Sequence, residues 1–143
     1  MTTEKFKDVD ERFQHYRGLA TALSATIIGI SGGLFYWLMG LDDPLLMTDR
    51  IARILLGASV VFAVLLQFFH VMGSVHHARA GHKNYLWSLG PSALPSIDPD
   101  ELHTEMGDEL TFSQDAFTRM DWCIKLAVWI HLLGLIFVGI GHL

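Results

Sequence analysis

The stretch 68–77, with the sequence FFHVMGSVHH, places three histidines at the end of an otherwise apolar run. Imidazole can donate or accept a hydrogen bond, carry a proton near neutral pH, or ligate a metal or haem iron. A helix would place four polar residues of this region on one face, because they are spaced three, four and three residues apart: Gln67, His70, Ser74 and His77. Unsatisfied polar groups are costly in hydrocarbon, so this stripe must face protein, a ligand or water.

Three runs without Asp, Glu, Lys or Arg must position these residues, and each meets the length of about 18 residues that crosses the hydrocarbon core. With 51% hydrophobic residues among 143, the chain is too apolar for an ordinary soluble protein and too short for two domains. We therefore predict an all-α integral membrane protein forming a single membrane domain over residues 1–143. Its three transmembrane helices are predicted at about 18–40, 52–77 and 122–142.

The positive charges predict an orientation. Eight of the 10 Lys and Arg residues lie before the first apolar run or between the second and third. Because cytoplasmic loops carry the excess of Lys and Arg, the N-terminus and the loop at about 78–121 are predicted to be cytoplasmic, and the C-terminus outside. A bacterial inner membrane suits this topology. The net charge is -5, and the acidic residues are spread through the loops. The sequence has no basic patch that would indicate binding to nucleic acid.

Helical patterns continue outside the spans. An amphipathic N-terminal helix that enters span one is predicted by the helical spacing of Val9, Phe13, Tyr16 and Ala20. In the cytoplasmic loop, Asp98 is predicted to cap a short helix that ends at Gly107, and a second helix is predicted to start at Thr111 and enter span three. The stretch NYLWSLGP at 84–91 is interpreted as a segment on the membrane surface.

Span one contains a series of small residues at intervals of four, Ala25, Gly29 and Gly33. Small side chains at this spacing let another membrane helix approach the backbone closely. The series therefore predicts a close helix-helix contact.

A second histidine inside an apolar run, His131, lies in span three. Counted from the predicted cytoplasmic ends of their spans, His70 and His131 differ in depth by roughly 3 Å. They are therefore candidates to ligate the iron of one b-type haem, if both rings face the same gap. A second ligand from another chain stays open, and the competing interpretation is hydrogen bonding within a packed bundle.

Other chemistries lack their residues. The spacing of the histidines around span two does not match the HxxxH pattern of a di-iron membrane oxygenase, and no carboxylate lies on that span. For nucleophilic catalysis there is no G-x-S-x-G and no evident Ser/Lys pair within a span. The single cysteine, Cys123, is interpreted as a packing residue. We expect no catalysis by this chain alone, and membership of an oxidoreductase complex stays open.

Three spans, the pair His15 and Arg17 opening span one, and FFHVMGSVHH closing span two together resemble the small cytochrome b membrane-anchor subunits of succinate dehydrogenase and fumarate reductase. In that family a His-Arg-x-x-Gly segment lies near the quinone pocket, and span two ends with an axial haem ligand followed by a second histidine. The resemblance implies haem b on His70 and places His77 as the second histidine. It also implies that His15 and Arg17 lie near a quinone pocket. From its position at the start of span one, this pair could contact a quinone headgroup, a lipid phosphate or a haem propionate, or Arg17 could simply extend to the membrane interface.

A competing motif lies in span three. The stretch AVWIHLLGL has Ala127, His131 and Leu135 in the order A-x-x-x-H-x-x-x-L, which is similar to the chlorophyll-ligating helix of bacterial light-harvesting subunits. The sequence thus predicts a small non-catalytic membrane subunit of a larger complex, with haem-based electron transport as the sharper hypothesis. Its partners are predicted to be other membrane subunits and the lipid bilayer. The alternatives are a cofactor-free accessory subunit, a pore-forming effector or holin, and a pigment-binding light-harvesting-associated subunit.

Overall fold

The computed structural model describes residues 2–40, 47–90 and 98–142, and almost all of them are α-helical. The helices are α1 (Thr2–Met39), α2 (Met47–Leu89) and α3 (Pro99–His142). All three are long and apolar enough to cross a membrane. The prediction of an all-α chain with three helices of membrane-spanning length is confirmed, and the amphipathic N-terminal helix continues into the first apolar run without a break.

The region between spans two and three differs from the prediction. Helix α2 continues to Leu89, so residues 84–89 are helical, and their place on the membrane surface stays a prediction; Pro91 lies outside the described residues. Helix α3 runs through Gly107, so the two separate helices predicted there are one. Glycine inside a helix costs only about 1 kcal/mol, and the burial of Leu102, Met106 and Leu110 along the same helix offsets this cost.

The predicted N-cap of α3 is confirmed. Asp98 lies one residue before the helix begins at Pro99, and its Oδ1 accepts a hydrogen bond from the backbone N–H of Asp100 over 2.9 Å. A side-chain oxygen at this position accepts from an N–H that has no partner within the helix. Proline fits the first helical position because the N–H that it lacks has no partner there either.

Buried side chains on α2 recur at a seven-residue repeat, the pattern of helices that pack side by side in coiled coils and bundles. The fully buried members of this repeat are Asp49, Ala52, Leu56, Ser59, Ala63, Leu66, Gly73 and Ala80. His70 and His77 occupy the two positions that complete the alternation of three and four residues, and both are partly buried. These two histidines therefore lie on the packed face of α2.

The chain divides into two compact units, and each helix contributes a segment to both. Unit 1 comprises Met1–Arg17 and Phe69–Arg119, and unit 2 comprises Gly18–Phe68 and Met120–Leu143. Unit 2 has two apolar clusters, whose buried members are Ile27, Ala63 and Ala127 in one and Leu38, Ala52 and Leu56 in the other. In unit 1 the ring of Phe117 is fully buried and stacks on Tyr16, with 6.0 Å between ring centroids.

Candidate functional site

A buried polar layer in unit 2 takes one side chain from each helix. Ser31 Oγ of α1 lies 2.6 Å from His131 Nδ1 of α3, and Ser59 Oγ of α2 lies 2.7 Å from Ser31 Oγ. Ser59 Oγ also lies within hydrogen-bond distance of the Leu56 carbonyl, at 2.8 Å. Each hydroxyl has one proton, so the network can run from Ser59 through Ser31 to Nδ1 or in the reverse direction, as the histidine tautomer requires. All of its groups can be satisfied without a charge.

Apolar clusters lie on both sides of this layer along the helices. Ile27 and Leu38 flank Ser31 on α1, while Ala63 and Leu56 flank Ser59 on α2. Within the described residues, these clusters separate the layer from the other polar side chains inside unit 2. The layer therefore suits a role in fixing the register of the three helices, as buried polar positions do in coiled coils.

Gln67, the first member of the predicted polar stripe, packs α2 against α1. Its amide nitrogen donates to the Ala20 carbonyl over 3.1 Å and to the Ser24 hydroxyl. Ser74, the third member, donates to the backbone carbonyl of His70 in its own helix over 2.7 Å. Both of these stripe residues therefore have a hydrogen-bond partner within the chain.

In unit 1, the neighbouring residues His76 and His77 reach in different directions and join α2 to both other helices. His77 Nε2 donates to Asp10 Oδ1 of α1 over 3.1 Å, and His76 Nδ1 donates to Glu109 Oε2 of α3 over 2.5 Å. Lys83, two turns farther along α2, extends the second contact by pairing with Glu109 at 3.6 Å. Sequence reasoning assigned no role to His76, although acidic residues on neighbouring helices were the available signal.

The environment of His77 is aromatic as well as acidic. Its ring centroid lies 5.4 Å from that of Phe6 and 5.0 Å from that of Phe13, both on α1. Its Nδ1 is buried and has no hydrogen-bond partner among the described residues. The side chain of His77 is only 12% exposed because it occupies a packed position of the α2 repeat.

Glu109 is the charged centre of the contact between α2 and α3. Burial raises the pKa of this carboxyl, but the hydrogen bond from His76 and the charges of His76, Lys83 and Arg79 oppose burial and together hold the pKa below its usual value. The carboxylate is therefore favoured in the folded protein, as expected for an acid surrounded by cations.

The other predicted site residues are His70, His131, His15 and Arg17, and they do not share one site within a single unit. His70 Nε2 is buried and has no hydrogen-bond partner among the described residues of unit 1. His131 belongs to unit 2 and has its partner in Ser31. Arg17 is exposed on α1, and so is His15, whose ring packs edge-on against Tyr16 at 5.0 Å.

The described residues can be compared with the ligands that a metal ion or a haem requires. Among residues 2–40, 47–90 and 98–142, no group of three or more His, Cys, Asp and Glu is arranged to hold a metal ion. A haem needs only one or two axial ligands, and the nitrogen of His70 that lacks a partner is a suitable donor atom. Comparison with models of protein families, with curated proteins and with solved structures finds no match to this chain.

Proposed function

We propose that this chain is a small, non-catalytic membrane subunit of a larger membrane assembly, with unit 2 in the bilayer and unit 1 in the cytoplasm. The helical segments of unit 2 support this placement, since 18–39, 47–68 and 120–142 are each about 33 Å long at 1.5 Å per residue. The hydrocarbon core is about 30 Å thick. The excess of Lys and Arg before span one and between spans two and three supports the orientation.

The main support for membership of a larger assembly is the small-residue face of α1. Ala25, Gly29 and Gly33 are all exposed, and a Cβ added at either glycine would meet no atom within 4 Å. The contact predicted for this series is therefore not made by α2 or α3 within the described chain. Without a hydrophobic effect in lipid, membrane helices associate through such close-packing faces, so another membrane chain is the fitting occupant.

The assembly is tested by filling this face. Leucine at Gly29 or Gly33 should remove the protein from its native complex, because the side chain blocks close approach of a second helix. Gly139→Leu is the matched control, since a Cβ there also meets no atom within 4 Å but lies on α3. The readout is the size of the complex on native gels after extraction from the membrane in mild detergent. A complex of unchanged size in both α1 variants would contradict the proposal, as would a wild-type chain that migrates alone.

A second candidate function is haem-based electron transfer, and the nitrogen of His70 without a partner favours it. A b-type haem would be held by His70, together with His131 or a residue of another chain, and it would supply one-electron chemistry. The absorbance spectrum of the native complex tests this candidate. A Soret band that His70→Ala abolishes and His82→Ala preserves is the expected result, since His82 is an exposed histidine on the same helix. If the wild-type complex shows no Soret band, haem-based electron transfer is ruled out.

A further inference from the structure

A groove of about 290 Å³ lies between α2 and α3 within unit 1. Its α2 wall is formed by Phe69, Met72 and His76, and its α3 wall by Phe112, Asp115, Ala116 and Arg119. The aromatic and methionine side chains give the groove an apolar floor. Its charged residues, Asp115 and Arg119, lie one helical turn apart on α3.

Among the described residues, these two charges have no ionic partner. Residues four apart on a helix are neighbours and commonly pair when their charges are opposite. Here neither Asp115 nor Arg119 forms an ion pair or a side-chain hydrogen bond with any described residue. Arg119 instead has its guanidinium carbon 6.0 Å from the centroid of the Phe69 ring. The groove thus presents a cation and an anion without ionic partners among the described residues, beside an apolar surface.

The position of the groove along the helices matches the edge of a bilayer. Phe69 and Met72 belong to the apolar run of α2, whereas Asp115 and Arg119 come shortly before the apolar run of α3. Under the membrane placement of the proposed function, on which this inference rests, the groove lies where lipid headgroups meet the acyl chains. Phospholipids are the amphiphiles present at this depth.

We propose that the groove binds a phospholipid whose headgroup carries both a phosphate and a primary ammonium, as phosphatidylethanolamine does. The guanidinium of Arg119 binds the phosphate, for which its planar fork of N–H donors is suited. The carboxylate of Asp115 accepts hydrogen bonds from the ammonium, and the glycerol and upper acyl chain lie on Phe69, Met72 and Phe112. His76 contributes no further cation for a phosphate, because its Nδ1 is bound to Glu109.

Charge complementarity selects this headgroup over the two common alternatives. The phosphate of phosphatidylglycerol could also bind Arg119, but its glycerol headgroup carries no ammonium to pair with the Asp115 carboxylate, which would then repel the phosphate. Phosphatidylcholine has a quaternary ammonium without N–H groups, so it cannot donate a hydrogen bond to the carboxylate. Binding should therefore decrease from ethanolamine to choline and glycerol headgroups of identical acyl chains.

Native mass spectrometry of the full-length chain in detergent tests the proposal, with each of the three lipids added separately. The wild type should retain phosphatidylethanolamine about tenfold more strongly than phosphatidylcholine, as expected for one charge-assisted hydrogen bond. Asp115→Asn should abolish this preference, and Arg119→Gln should weaken the binding of all three lipids. Asp108→Asn, at an exposed position of the same helix, and Arg50→Gln, at an exposed position of α2, are the matched controls and should bind as the wild type does.

Equal retention of the ethanolamine and choline lipids by the wild type would overturn the proposal without depending on any variant. Equal losses in Asp108→Asn and Asp115→Asn, or in Arg50→Gln and Arg119→Gln, would also overturn it, because binding would then follow overall charge. Asp115 and Arg119 are both exposed, so circular dichroism should show unchanged helix content in their variants. The isolated chain is sufficient for this measurement, so its outcome is separate from the native-gel test of the larger assembly.

Discussion

Unit 1 and unit 2 use the same three helices but join them through different polar contacts. In unit 1 the contacts between helices involve carboxylates: His76 contacts Glu109, His77 contacts Asp10, and Lys83 forms an ion pair with Glu105. The middle of unit 2 is joined by neutral hydrogen bonds, among Ser31, Ser59 and His131 and between Gln67 and α1. Burying a charge in a low-dielectric interior costs several kcal/mol, whereas partly exposed ion pairs cost little. The difference is the one expected if unit 1 meets water and unit 2 meets hydrocarbon.

Charged groups return at the far end of unit 2. Asp49, in the first turn of α2, has its carboxylate 3.3 Å from His142 Nε2 at the end of α3. Arg53 donates to the carbonyl of Leu38 and so satisfies a backbone group at the end of α1. Both contacts lie near helix termini, where a transmembrane segment would meet the opposite interface. Charge is thus found near the two ends of the predicted spans and is absent from the described interior between them.

The largest expected effect comes from placing a charge in the neutral layer of unit 2. Ser59→Asp should lower the free energy of unfolding by about 3 kcal/mol, because the buried carboxylate finds no cation there. Unfolding in mixed micelles, followed by circular dichroism, measures this loss. Ser88→Asp, at an exposed position of unit 1, should change stability by no more than about 0.5 kcal/mol. Equal stability of the two variants would remove the distinction between the units.

A second comparison concerns one close helix contact in each unit. A Cβ at Gly73 would lie 2.8 Å from Cε1 of the buried Phe117 ring, and one at Gly134 would lie 2.9 Å from Cδ2 of Leu56. Gly73→Ala should destabilise the protein by about 2 kcal/mol, because a packed ring cannot move aside. Gly134→Ala should cost less, since the terminal methyl of leucine can rotate.

Thermal unfolding of the two alanine variants checks this order. The control is Gly107→Ala, where a Cβ meets no atom within 4 Å and the higher helix propensity of alanine should stabilise the protein slightly. A Gly73→Ala variant as stable as Gly107→Ala would show that Phe117 does not pack on α2 as described.

Acid should weaken unit 1 through Glu109. Its pKa in the folded protein is held below the usual value, so the ionised carboxylate stabilises the fold above that usual value. This stabilisation is lost as the pH falls through the lowered pKa. Glu109→Gln should reduce stability at neutral pH by about 1.5 kcal/mol and flatten the acid limb of the profile. Thermal unfolding between neutral pH and pH of about 3 tests this.

Glu101→Gln is the matched control for the acid limb, because Glu101 is exposed on the same helix. It should leave the pH profile close to that of the wild type. If Glu109→Gln retains the full acid dependence, another carboxylate is responsible for it.

The smallest expected effect is the loss of one neutral hydrogen bond in unit 2. Ser31→Ala should lower stability by about 0.6 kcal/mol, the typical contribution of a hydrogen bond between membrane helices. Unfolding in mixed micelles measures this change. A loss as large as that of Ser59→Asp would mean that the polar layer holds a charge after all.

Much of the architecture could be predicted from local patterns. The apolar runs indicated three long helices, and the Asp98–Pro99 pair indicated where α3 begins, since both signals depend on neighbours in sequence. The breaks predicted in the cytoplasmic region were wrong because local signals were given too much weight. Gly107 can end a helix, but the buried positions on both sides of it, Met106 and Leu110, favour continuing the helix.

The candidate site was harder to predict because its residues come together across helices. His70 and His131 were recognised as buried polar residues, but the serines that form the layer with His131 are common in membrane helices and carry no signal alone. The roles of His76 and His77 depend on Glu109 and Asp10, which are far away in sequence. Haem ligation by His70 and the roles of His15 and Arg17 at a quinone site stay predictions.

Locating the membrane boundary along α3 is the most direct test of whether unit 2 lies in the bilayer and unit 1 in water. Spin labels are attached to single cysteines at exposed positions of the full-length chain in lipid vesicles, after Cys123→Ala removes the native thiol. The labelled positions are Thr104 and Thr118 in unit 1, and Trp129 and Ile136 in unit 2. A water-soluble nickel complex should relax the labels of unit 1, while oxygen, which concentrates in hydrocarbon, should relax those of unit 2. Equal access of the nickel complex to positions 104 and 129 would contradict it.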